Sequence, residues 1–332
     1  MGAALEAMDW SATPLGPVER WPQSLRTTVS LCLSSRAPMM IVWGPQHVQL
    51  YNDALAPLMG PKHPAALGRP YRESFAEIWD ETMGPMLAAV YDRAESSYLE
   101  DLPVSFHRRV PDEEMFWTFS WSPLRNENGE VAGALHPAVE TTGRVLAERR
   151  LRLLRDLATS AGQSAQLQEA CDRAVAVLGE HSVETPLSAI YLVEDVPAQG
   201  VPSTARRVAH SGVLPSSDVF PREVDLTSST YTLWPLAEAA ASRRMQLVDP
   251  LELHVPDLTS WPWRTSSTAA LVLPLVQPGS AVPMALLALA LNPRRPVDDE
   301  QLDFLQLLAG QLATSLATAA LHEQQYAVAL AL

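Results

Sequence analysis

The sequence predicts an α+β protein of two domains, each an antiparallel β-sheet flanked by helices, with long connecting and C-terminal helices. Three observations carry this. The 332 residues suffice for about two domains. The first half reads as two strands, a run of short helices and three strands. The second half mixes strands and helices again and closes on two nearly continuous apolar strands and a long helix.

The elements follow in order. Residues 1–24 form an irregular extension, because prolines at 14, 17 and 22 forbid a long helix. Pro22 suits the first turn of a helix through SLRTTVSLCLSS. MMIVW, a break at Gly44-Pro45 and HVQLY then read as a hairpin, and Asn52 or Asp53 opens a short helix. From Leu55 to Ser97 the pattern is helical and punctuated, with GPMLAAVYDRAESS the longest piece. LPVSFHRR is a strand. EMFWTFSWSPL alternates strictly, placing Met115, Trp117, Phe119 and Trp121 on one face. Asn128-Gly129 supplies the turn into EVAGALHPAVE.

TTGRVLAERRLRLLRDLA is an amphipathic linker helix, and SAQLQEACDRAVAVLG a second helix ending at Gly179. LSAIYLVED and TARRVAHSG are strands, and residues 213–230 read as a loop. WPLAEAAASRR is a helix and MQLVD a strand. A long irregular loop follows, carrying Trp261 and Trp263. TAALVLPLVQ and VPMALLALALN are apolar throughout, which predicts sheet covered on both faces. Asp298 or Asp299 caps the last helix, whose Leu305, Leu308, Leu312, Ser315, Ala319, His322 and Tyr326 keep a 3-4 spacing. That spacing predicts a coiled-coil seam between two chains, weakened by Ser315 and His322, and hence a homodimer. YAVALAL stops in mid-helix, which predicts that the natural sequence continues. The domain plan is therefore an extension at 1–24, a first domain at 25–140, a linker helix at 141–162, a second domain at 163–320 and a signalling helix at 299–332.

Composition narrows the function. Net charge is −14 and Lys62 is the lone lysine, so nucleic acid and anionic membrane surfaces are not expected partners. Cys32 and Cys171 lie far apart in apolar contexts and form neither a disulfide framework nor a metal site. A reducing cytoplasm fits. The N-terminus MGAALEAMDW is acidic, unlike a signal peptide, and no apolar run reads as a membrane span. GxSxG, P-loop, HExxH and GxGxxG motifs are all missing. The acidic stretches VPDEE and VDDEQ read as solvated turns or a cap, so the chain is read as non-catalytic.

The residues DWSATPLGP, WPQSL, PMMIVWGP, LYNDALAPLMGPKHPAALGRP, EIWD and FWTFSWSPLRNENGEVAG, continued by the linker helix, resemble the amino-terminal PAS domain of multidomain bacterial sensors of actinobacterial type. LSAIYLVED, WPLAEAAASRRMQLVD, TAALVLPLV and the 292–319 stretch resemble a GAF domain. The resemblance implies a sensory module that controls an output domain downstream. EQQYAVALAL looks more like the lead-in to a metal-dependent serine/threonine phosphatase acting on anti-sigma-factor antagonists, with a histidine kinase as the second reading.

The resemblance also directs attention to ligands. Haem would need a histidine, and His47, His63, His107 and His136 are the candidates in the first half; all read as ordinary strand or loop residues. Bilin attachment would need a cysteine in places that neither Cys32 nor Cys171 occupies, and VDPLELHVPDL only echoes the bilin-pocket motif. The cysteine-bearing flavin motif and the NKFDE-type cyclic-nucleotide signature are missing. Haem, flavin and bilin are thus not expected, and the identity of any cofactor stays open. A small apolar or aromatic guest remains as one reading. Its lining in the first domain would be Met40, Val42, Tyr51, Asn52, Trp79, Trp117 and Phe119, and in the second Tyr191, Trp234, Trp261 and Trp263. Filled cores of the same composition are the competing reading, and the favoured one. They would leave a dimerisation and protein-interaction scaffold.

Overall fold

The computed structural model describes residues 1–106, 108–161, 164, 166–194, 202–212, 219–228, 233–249, 259–260, 265–277 and 279–331. Two compact units divide it, Met1–Leu146 and Ala147–Leu332.

The first unit is built on a five-stranded antiparallel sheet. Its strands are β1 (Met39–Trp43), β2 (Val48–Tyr51), β3 (Ser97–Phe106), β4 (Glu113–Arg125) and β5 (Val131–Glu140), in the order β2-β1-β5-β4-β3. The β1–β2 hairpin forms as expected, but His47 sits in its turn at φ +53°, not on a strand. In the β4–β5 turn Gly129 takes φ +82°, and Asn126 Oδ1 accepts from the amides of Asn128 and Glu130 at 2.9 and 3.0 Å. Alternation holds along β4: Met115, Trp117, Phe119 and Trp121 are buried.

The extension is more ordered than its prolines suggest. Gly2–Ala7 is a helix, α1, and short 3-10 turns follow at Trp10–Ala12 and Val18–Arg20. Trp10 and Trp21 meet edge to face at 4.9 Å and join Leu5 in the core of this unit. Each indole N–H finds a local carbonyl, Leu5 and Gly16, so two large rings are buried without a polar penalty. Helix α2 (Gln23–Ser34) leads into β1. Between β2 and β3 the chain makes a 3-10 segment (Ala56–Lys62), the single turns α3 (Tyr71–Ser74) and α4 (Ala76–Ile78), a π turn (Trp79–Met83) and α5 (Gly84–Arg93). Ala94 ends α5 in the left-handed region, so ESS passes out of the expected helix and Ser97 starts β3.

Helix α6 (Thr142–Ala161) begins in the first unit and carries on into the second. There α7 (Leu167–Glu180) follows, then β6 (Leu187–Glu194), β7 (Thr204–Ser211), β8 (Glu223–Asp225), α8 (Leu236–Ser242), β9 (Gln246–Val248), a short ladder of β10 (Thr259–Ser260) with β11 (Thr265–Ser266), β12 (Ala270–Leu275), β13 (Ala285–Ala290) and α9 (Asp299–Ala331). The six-stranded sheet runs β8-β7-β6-β13-β12-β9, antiparallel throughout. β8 lies where a loop was expected; its three residues are too few to show a period.

β12 and β13 are buried on both faces, as their apolar runs require. Leu271, Leu273, Leu287 and Leu289 meet α6, α7 and α9, while Val272, Leu286 and Ala288 face α8, Tyr191 and Trp234. Asp298 Oδ1 accepts from the Gln301 amide at 3.1 Å and caps α9.

The seam reading of α9 needs correction. Leu305, Leu308, Leu312 and Ala319 lie inside the core of this unit. The 3-4 spacing serves packing onto the unit's own sheet, so these four side chains cannot form a seam with another chain. Of the seven residues assigned to that seam, only His322 and Tyr326 are exposed, Tyr326 at 71%. By length and composition α9 is also long and apolar enough to cross a membrane over Asp299–Ala329, but half of its most apolar stretch is buried inside the unit, as in a core helix.

Candidate functional site

In the first unit the sheet and the short helices fail to meet completely. They leave a cavity of about 50 Å3. Met40 of β1, Trp117 and Phe119 of β4, and His136 and Ala138 of β5 form its sheet side. The 3-10 segment with its cap residue, and the turns after it, supply Leu55, Leu58, Met59, Tyr71 and Phe75. One water needs roughly 10–15 Å3 of such space, and pockets for drug-sized ligands run to ~300–1,000 Å3. The cavity therefore has room for a few small atoms, and a haem or flavin would require the lining to move.

Besides the Tyr71 hydroxyl, two polar side chains stand in this apolar lining. Trp117 is 8% exposed, and its Nε1–H has no hydrogen-bond partner. A buried donor left unmade costs about 1–3 kcal/mol; the Trp117 ring lines the cavity, and its nitrogen is itself closed off from a water-sized probe. His136 places Nδ1 3.0 Å from the carbonyl oxygen of Ser120. A carbonyl only accepts, so Nδ1 carries the proton and Nε2 keeps its lone pair. Burial holds the imidazole neutral by lowering its pKa to about 4, against the opposing pull of the Ser120 carbonyl. The ring stacks on Trp121 at 4.0 Å and meets Phe119 edge to face at 5.0 Å.

The sequence candidates divide accordingly. Met40, Trp117 and Phe119 line the cavity together. Val42 is buried in the same core but away from the lining, and Trp79 is half-buried near His47 and Tyr71. Tyr51 is fully buried, with its hydroxyl 3.0 Å from His63 Nδ1, and burial raises its pKa to about 12. Asn52 is fully engaged as a clamp. Its Nδ2 donates to the carbonyls of Cys32, Ser35 and Ala37, and its Oδ1 accepts from the amides of Met39 and Leu55. Reading the sequence did not find Tyr71, Phe75 or Met59. They sit on irregular turns with no period to betray which way they face.

In the second unit Tyr191 and Trp234 share one cluster on the α8 side of the sheet. Trp234 stacks on Phe220 at 4.9 Å and donates to the Val219 carbonyl at 2.6 Å. The Tyr191 hydroxyl is buried without a hydrogen-bond partner, and burial raises its pKa above the usual range. Trp261 and Trp263, like His107, lie outside the described residues.

Reactive groups are scarce. Cys32 and Cys171 are buried thiols, each pushed up to about 12 by burial, with the nearby Asp172 adding to the rise at Cys171. Among the described residues no group of three or more His, Cys, Asp or Glu side chains could hold a metal ion.

Comparison with known proteins agrees with this architecture. Residues 34–146 match the family model of the PAS fold, and residues 164–317 that of the GAF domain. No curated protein matches the chain. Among solved structures, the chain resembles the GAF domain of an Acinetobacter phosphoenolpyruvate-protein phosphotransferase at 17% identity, covering 51% of this chain and 93% of that one, with TM-score 0.37. The corresponding domain from Coxiella burnetii gives 18% identity, 52% and 95% coverage, and TM-score 0.39. The substrate complex of fRMsr from Staphylococcus aureus gives 15% identity, 50% and 95% coverage, and TM-score 0.36. Likeness at this level assigns no function. The chain thus carries a PAS domain followed by a GAF domain, the two mixed α+β folds that its two sheets describe.

Proposed function

We propose that the chain is a non-catalytic sensory module whose PAS cavity takes a small neutral guest. Trp117 Nε1 donates to an acceptor on that guest, and the neutral His136 offers a lone pair in return. The observation that carries this is the partnerless indole N–H of a nine-tenths buried Trp117 at the wall of a cavity of about 50 Å3. Cores seldom leave such a donor unmade, although the indole N–H of Trp121 in the same core is also without a partner. In this reading the module is cytoplasmic, works as a homodimer and biases an output domain. Resemblance favours a serine/threonine phosphatase of the anti-sigma-factor-antagonist pathway, with a histidine kinase second. The pairing surface would be the exposed end of α9, where Leu321, Tyr326 and Val328 face solvent.

A second reading has one observation in its favour, the small volume. A cavity below the usual ligand range suits a scaffold whose PAS and GAF domains bind only proteins. Native mass spectrometry of the protein purified from cells separates the two. A sensory module shows a bound small molecule that the Trp117→Phe variant loses. A scaffold shows bare protein in both cases.

A further inference from the structure

The GAF unit carries a second opening, away from the Tyr191–Trp234 cluster. It lies where the chain turns from α8 into the edge strand β9, beside the end of β12 and one face of α9, and it is an open pocket of about 590 Å3. That volume falls within the range of pockets that hold small organic ligands. Its walls are largely apolar: Met245, Leu273, Pro274 and Val276 on the strand side, Ala309 and Gly310 on the helix, with Gln306 the one polar side chain on the helix side. Two cations stand at one end. Arg243 and Arg244 line the opening and are exposed. Among the described residues neither guanidinium has a carboxylate partner, whereas Arg149, Arg150, Arg173 and Arg206 in the same unit all do. The net charge of the chain is −14, yet these two adjacent arginines at the mouth of the pocket have no carboxylate against them among the described residues. Arg243 also holds a left-handed backbone, φ 56° and ψ 28°, at the C-cap of α8, where glycine or asparagine is the cheaper residue.

We infer that this opening binds an amphiphilic oxyanion, a carboxylate or phosphate monoester on an apolar body of medium length. The anion takes the planar forks of Arg243 and Arg244, which suit both head groups in bidentate fashion. The apolar body lies between the strand edge and α9. This assignment is independent of the PAS cavity and of any guest there.

Isothermal titration of the whole chain with octanoate, octyl phosphate and 1-octanol, each below its micelle or solubility limit, tests it. Octanoate and octyl phosphate should bind saturably at one per chain, and the stronger of the two identifies the head group. The neutral alcohol should bind at least tenfold more weakly. Arg243→Gln/Arg244→Gln should weaken both anions at least tenfold. Gly310→Leu supplies a second variant. A Cβ at Gly310 meets no atom within 4 Å, so the larger side chain enters open space in a helix that tolerates it, and it should block binding with the fold intact. The inference is overturned by absence of saturable binding of either anion, by equal binding of the alcohol, or by undiminished binding in both variants with native circular dichroism.

Discussion

Asn52 shows how a single side chain can outweigh its apparent role. In the sequence it stands at the end of a strand and reads as a rim residue of a pocket. In the fold it is 1% exposed and its amide makes five hydrogen bonds, to the carbonyls of residues 32, 35 and 37 and the amides of residues 39 and 55. It locks the end of α2 and the start of β1 to the turn after β2. Asn52→Ala leaves several of these groups buried and unpaired, so we expect a loss of about 3 kcal/mol or more in urea unfolding. A loss below ~1 kcal/mol would show that Asn52 does not hold these segments together. His136 offers a pH test. Its pKa is about 4 in the fold and roughly 6.5 in an unfolded chain, so the unfolded state binds the proton first. The associated stability is complete above pH ~6.5 and drains away as pH falls towards 4, by at most about 3 kcal/mol. His136→Gln, which keeps a donor for the Ser120 carbonyl, should flatten that part of the stability profile.

At the scale of elements, the clearest lesson is α9. Its 3-4 spacing was legible, but spacing alone does not say whether the apolar stripe meets another chain or the helix's own sheet. Leu305, Leu308 and Leu312 chose the sheet, because β12 and β13 are apolar on both faces and need a cover there. The other element that stands out is the buried charge network between α6, α9 and the turn that follows α7. Arg150 is 6% exposed; it reaches Glu300 at 2.9 Å, bonds Gln301, lies 3.6 Å from Glu184 and sits over the Phe304 ring. Glu184 is itself buried and is shared with Arg149 at 2.5 Å. Such pairs add little net stability when whole but cost about 3–5 kcal/mol when one partner is removed, because the remaining charge stays buried. Arg150→Ala should therefore destabilise the GAF unit by roughly that amount. The double variant Arg150→Met/Glu184→Gln should cost less than the sum of the two single changes, read from denaturant midpoints.

At the scale of the molecule, the two-domain α+β plan was legible because strands of strict alternation and strands of continuous apolarity leave distinct patterns, and β4 and β13 show one each. The ordered extension and the cavity were not. Trp10 and Trp21 are buried by short 3-10 turns that have no period, and a void is set by the fit of thirteen side chains, which no local pattern records. With one core cluster in the PAS unit and two others in the GAF unit, calorimetry should resolve two transitions, and Asn52→Ala should lower only one of them. The measurement that bears most directly on the sensory reading follows the Trp117 indole N–H by 15N–1H correlation while 2-butanone, a neutral acceptor of few atoms, is titrated into the protein. Entry into the cavity should shift the Trp117 signal saturably downfield and leave Trp10 and Trp21, already hydrogen-bonded, unmoved. A Trp117 signal that never moves, in a protein that also carries no guest from the cell, would contradict a ligand-sensing PAS domain and leave the scaffold.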